Sequence, residues 1–117
     1  MSHAKWAVLV AGAILAVGWG ASRAAAQEPD GAVLYRQNCR SCHGGTGVAP
    51  ARMVTLYPTL KTLADSAFLR GRSVDSIAAV IRRGAGRDMK PFADRLSSQE
   101  ILAIAQFVKT LANKSAP

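Results

Sequence analysis

Two cysteines three positions apart, with a histidine directly behind the second, constrain this chain more than any other stretch: Cys39-Arg40-Ser41-Cys42-His43. On a helical turn, positions i and i+3 share one face. Both sulfurs can then form thioethers to the vinyl groups along one edge of a porphyrin, and His43 stands where its imidazole can reach the iron. The spacing is the attachment pattern for covalent haem. The same residues also admit a thiol redox pair or half a zinc site. The rest of the chain has to separate these readings.

Several of its features do so. The N-terminus reads as an export leader: Lys5 supplies positive charge, Trp6 to Trp19 is uncharged and apolar, and Ala24-Ala25-Ala26 offers small residues for cleavage after Ala26. The apolar run is short for a membrane span of roughly 20 residues, and Gly12, Gly18 and Gly20 weaken it. An uncleaved anchor is the alternative. Loss of residues 1–26 leaves 27–117 as one small domain, which needs a staple because its core is thin. Cys39 and Cys42 are the only cysteines, and a disulfide between them closes too small a loop to restrain the unfolded chain. A structural zinc wants four ligands, and the mature chain offers two cysteines and His43. A thioredoxin-like site needs alternating strands and helices around the motif, which the pattern lacks. The staple is therefore expected to be one haem c, attached through Cys39 and Cys42.

Lys5 and Arg23 leave with the leader, so 13 basic residues face 7 acidic ones, a formal charge of +6 against +8 for the whole chain. A basic surface steers an acidic protein partner, touches an anionic membrane, or merely keeps a small domain soluble. Export, arginines spread along the chain and the absence of interleaved aromatics argue against nucleic acid. Membrane contact is expected to be peripheral at most.

Asp30 is a plausible N-cap for a helix through Gly31, Leu34 and Tyr35 to the motif. Residues 44–58 hold Gly44, Gly45, Gly47, Pro50 and Pro58 without a sustained period, and read as a loop wrapping a bulky object. The spacing of Leu60, Leu63, Ala64, Ala67 and Phe68 predicts one or two helical turns, ended by Gly71. Ser73 caps a helix striped by Val74, Ile77, Ala78 and Ile81, with Asp75 in its first turn, Arg82 and Arg83 in its last, and Gly84 as its stop. A second loop runs from Gly84 to Leu96. Ser97-Ser98-Gln99-Glu100 is a capping box, opening a final helix that buries Ile101, Ile104, Val108 and Leu111. No run alternates like a strand. The fold class is all-α, with three to five helices around one cofactor.

A haem iron takes two axial ligands, and His43 is the only histidine after export, which excludes a bis-histidine site within one chain. Met53 and Met89 are the mature methionines. Met89 lies in the second loop, between two helices, where a chain passing over the far face of a porphyrin would sit, and a thioether there raises the reduction potential. Met53 follows His43 by only ten residues. Met89 is the predicted second ligand, with Lys90 as a substitute and core filling as its alternative role.

Gly31, Tyr35, the Cys39–His43 motif, Tyr57-Pro58-Thr59-Leu60, Met89 and the closing helix, taken in order, resemble the class I cytochromes c, the small soluble bacterial kind. The resemblance implies an α-fold around one haem with the first and last helices crossing, Gly31 permitting close approach and Tyr35 packing near Phe107. It implies that the carbonyl of Pro58 accepts from the second nitrogen of His43, with Pro50 as runner-up, unless either proline only turns the loop. Relatives often place proline directly after the methionine, whereas here Lys90 intervenes before Pro91. The expected function is a monomeric, periplasmic one-electron carrier that meets redox proteins with acidic docking surfaces. The alternatives are a haem subunit of a periplasmic dehydrogenase or oxidase, and a ligand-binding haem protein with an open distal site. With its histidine spent on iron, the chain shows no acid, base and nucleophile set, and is expected not to be an enzyme.

Overall fold

The computed structural model describes residues 25–114, and the expected leader lies almost wholly outside them. The described chain is all-α: α1 Gly31–Asn38, α2 Arg40–His43, α3 Ala51–Leu56, α4 Ser66–Arg70, α5 Val74–Arg83 and α6 Ser98–Lys114. Among the described residues the one extended pairing is an isolated bridge between Ala85 and Met89.

Each long helix starts where a side chain supplies the acceptor its first amides need. The Asp30 carboxylate accepts from the amides of Ala32 at 2.9 Å and Val33 at 3.0 Å. Ser73 Oγ accepts from Ser76 at 3.0 Å. The capping box of α6 is reciprocal, Glu100 N–H donating to Ser97 Oγ at 3.2 Å and Ser97 N–H to the Glu100 carboxylate at 2.7 Å.

The core forms along α6, which packs on α1, α5 and α4. Ile101, Ile104, Val108 and Leu111 meet Tyr35 of α1, Leu69 of α4 and Ile77, Ala78 and Ile81 of α5, all buried. Each such aliphatic side chain contributes about 1.5–3 kcal/mol. At the crossing of α1 with α6, a Cβ on Gly31 would collide with the carbonyl of Ala103, so only glycine lets the backbones approach this closely. One turn on, the rings of Tyr35 and Phe107 sit 5.1 Å apart at 52°.

Among the described residues there are six helical segments rather than three to five. The first expected helix is interrupted at Cys39 (φ −120°, ψ −31°), although the Cys39 amide still bonds to Tyr35 and that of His43 to Cys39. The expected loop over 44–58 contains α3, set off by Pro50, whose fixed φ of −57° suits a helix start. Residues 60–65 are not helical. The amides of Leu63 and Ala64 go instead to the carbonyl of Gly47, at 2.9 and 3.2 Å, and α4 begins where Asp65 caps Ala67 and Phe68.

Candidate cofactor site

A cavity of about 1180 Å³ opens between α1–α2, the 57–61 turn, α4–α5 and the 85–95 loop, with Ile104 and Val108 of α6 on its wall. It exceeds the ~300–1,000 Å³ of ordinary small-molecule sites. Cys39, Cys42 and His43 line it from one side, Met89 lines it from the loop, and Leu60, Leu63, Phe68, Ile77, Val80, Ile81 and Phe92 make most of its wall apolar. A flat apolar macrocycle with one metal fits such walls.

His43 is half-buried, and its Nδ1 is fully enclosed with no hydrogen-bond partner. A buried ring nitrogen without a partner calls for an explanation. Burial pushes the imidazole below its ordinary value, and a backbone group of Lys61 opposes that in part. The ring is thus held neutral, the form that offers a lone pair to a metal. Burial, and secondarily Cys42, pushes the Cys39 thiol up to about 11, so it rests as a thiol and not as a reactive thiolate. Among the described residues no group of three or more His, Cys, Asp or Glu side chains could hold a bare metal ion.

Met89 is half-buried, on a loop whose shape is set by its backbone. Ala85 and Met89 exchange amide bonds at 2.9 and 3.3 Å, and the Phe92 amide bonds to Ile81 at 3.1 Å. Gly84 (φ +77°) turns the chain out of α5, and a Cβ there would strike the carbonyl of Met89. Lys90 is on the same wall, but its Nζ is engaged by the carbonyl of Arg87 at 2.7 Å. Met53 sits on α3, away from the cavity lining.

Pro58 lines the cavity and occupies the second position of a turn closed by the Leu60 amide on Tyr57 at 2.9 Å. Its carbonyl does not accept from His43 Nδ1, which is unpartnered, and the backbone group that acts on the ring is that of Lys61, three residues on. Pro50 begins α3 outside the lining. Phe68, Arg72 and Arg95 also line the walls, beyond the site residues expected from sequence. Asp65 as the cap of α4 would have placed Phe68 correctly, whereas nothing in local pattern distinguishes Arg72 or Arg95 from other surface arginines.

Residues 26–108 match the family described as cytochrome c oxidase, cbb3-type, subunit III. The chain is 36% identical over 88 residues to cytochrome c6 of Microcystis aeruginosa, covering 73% of this chain and 98% of that protein. With the chloroplastic cytochrome c6 of Chlamydomonas reinhardtii it shares 35% identity over 113 residues, 94% of this chain and 72% of the relative. The chain belongs to the class I cytochromes c. This cytochrome c also resembles the solved structure of the KustC0563 c-type cytochrome, at 29% identity and a TM-score of 0.63, over 70% of this chain and 96% of that one. It is 32% identical to the cbb3-type oxidase subunit FixP of Azorhizobium caulinodans over 81 residues, 69% of this chain but 26% of FixP. Haem c is its cofactor, and the cavity that brings Cys39, Cys42, His43 and Met89 together has the size and lining to take it.

Proposed function

We propose that this cytochrome is a free one-electron carrier of the periplasm, exported by residues 1–26, in which His43 and Met89 would hold the haem iron and Cys39 and Cys42 would anchor the porphyrin as thioethers. The observation that carries this reading is that Met89 and His43 line one cavity with both cysteines. A haem bound there would supply the redox chemistry, holding one electron more in its ferrous than in its ferric state. The chain's own residues do the rest. His43 presents a neutral imidazole whose Nδ1 is unpartnered, and the 57–61 turn beside it, with Pro58 and Lys61 on the cavity wall, would supply the acceptor. Met89 brings a soft thioether on a backbone-locked loop, which favours the reduced state. The apolar wall excludes water and keeps surroundings similar in both oxidation states.

The likeness to cytochromes c6 supports reading the chain as a carrier and not as an enzyme by itself. The cavity rim is basic: Lys61, Arg72, Arg87, Lys90 and Arg95 against Asp88 alone. It suits a redox partner with an acidic docking surface. Among the described residues no helix is long and apolar enough to cross a membrane. The match across 98% of one cytochrome c6, against 26% of FixP, favours the free carrier over an oxidase subunit.

Met89→Ala tests the ligand set. The oxidised parent is expected to show the weak long-wavelength band of iron bound to a thioether, and the variant to lose it. A band that survives the substitution removes Met89 from the iron.

A further inference from the structure

We propose that Arg72 is the residue that binds the propionate carboxylates of the haem. This rests on haem c occupying the cavity, not on the identity of the second axial ligand. In a porphyrin the vinyl and propionate substituents stand on opposite edges. With Cys39 and Cys42 holding the vinyl edge at α1–α2, the propionates point to a wall built by other elements. The corner between α4 and α5 is such a wall, since both helices pack on α6 rather than on α1 or α2. Arg72 stands at that corner and lines the cavity.

Its side chain is fixed before any ligand arrives. The guanidinium carbon lies 4.1 Å from the centroid of the Phe68 ring, itself on the cavity wall, and Nη1 donates to the Phe68 carbonyl at 3.2 Å. The backbone below is tied to α6, because Lys109 Nζ donates to the carbonyls of Leu69 at 3.0 Å and Arg72 at 2.8 Å. Of the five guanidinium N–H groups one is used, leaving a planar fork for carboxylate. Among the described residues no acid pairs with Arg72. Arg72 is exposed at the cavity rim, so its free N–H groups are open to a carboxylate at the edge of a bound haem.

Other cations on the walls fit less well. Lys90 is bonded to Arg87, and Arg95, 4.9 Å over the Phe92 ring, stands on the 85–95 loop and not at the corner between α4 and α5. Lys61 adjoins the turn beside His43. Tyr35, Tyr57, Arg87 and Asp88 complete the charged or titratable groups facing the site, apart from the thiols and His43.

The test is the midpoint potential of the holoprotein against pH, followed optically. Deprotonation of a propionate puts negative charge beside the iron and lowers the potential, and a guanidinium on the carboxylate moves that fall to lower pH. In Arg72→Gln the fall is expected to move up by roughly one to three pH units. Arg72→Lys keeps the charge but loses the fork, and is expected to move the fall less, in the same direction. Should Arg72→Gln fail to mature with haem, Arg72→Lys alone decides. A fall at the parent's pH in the variant overturns the proposal, as does an equal displacement in Arg83→Gln, whose exposed side chain lies off the cavity. Failure of the haem reading itself would appear separately, as polypeptide without covalently bound pigment.

Discussion

The phenol of Tyr35 is fully buried and donates at 2.8 Å to the carbonyl of Gly44, the residue after His43. One side chain thereby joins α1 to the end of the motif and to Phe107 of α6. Burial, with a smaller contribution from neighbouring Cys39, raises its ionisation well above the ordinary 10.0. The sign follows from proton binding: above pH 10 the unfolded chain gives up the phenolic proton while the native chain keeps it. Native stability contributed by this group is complete below pH 10 and falls as pH rises beyond it. Tyr35→Phe is expected to cost about 1–3 kcal/mol at neutral pH, because the Gly44 carbonyl loses its donor. It is also expected to flatten the alkaline loss. Urea unfolding at pH 7 and pH 11 measures both, and equal alkaline slopes in parent and variant would count against a buried, neutral phenol.

At the scale of elements, the close contact of α1 with α6 hangs on Gly31, where a Cβ would collide with the Ala103 carbonyl and come within 3.2 Å of Phe107 Cβ. Alanine is the better helix former by about 1 kcal/mol, yet here the overlap is backbone on backbone and cannot be relieved by a rotamer. Gly31→Ala is expected to destabilise by about 1–3 kcal/mol, the usual range for overpacking, in denaturant unfolding followed through the haem absorbance. A gain in stability would mean that the helices can separate freely. This contact was legible because a resemblance in order carried Gly31, Tyr35 and Phe107 together. Helices α5 and α6 were legible from physics alone, since Ser73, Gly84, Ser97 and Glu100 mark their ends and their stripes are long enough to count. Helix α3 was not, because six residues with none buried leave no apolar period to read. Of the turns expected over 60–69, α4 takes the second half, and the first half is absent because Leu63 and Ala64 bond to Gly47, a partner in another segment that a local window does not see. The motif and Met89 could be singled out by residue type, and the cavity is lined by them, whereas the enclosure of His43 Nδ1 and the fixed arginine at the α4–α5 corner depend on distances between segments.

For the whole molecule, charge decides how it meets a partner. The full chain is formally +8, and the described residues place Lys61, Arg72, Arg87, Lys90 and Arg95 around the opening of one cavity, with Asp88 as the single opposing charge there. A field of one sign at the point where the cofactor nears the surface raises the local concentration of anions and repels cations, and salt weakens it over a Debye length of about 10 Å at 0.1 M. Electron exchange with an anionic reagent such as hexacyanoferrate is therefore expected to slow on the order of tenfold between about 10 mM and 300 mM salt. Exchange with cationic hexaammineruthenium is expected to quicken instead, because screening then removes a repulsion. The double variant Lys61→Glu/Lys90→Glu reverses two of the five rim cations. Neither side chain belongs to the proposed ligand pair of His43 and Met89, so the haem spectrum should be retained while both salt dependences flatten. Stopped-flow rates over the salt series read this directly. If the two reagents respond to salt in the same direction, the basic rim does not govern the encounter, and charge on this molecule serves solubility alone.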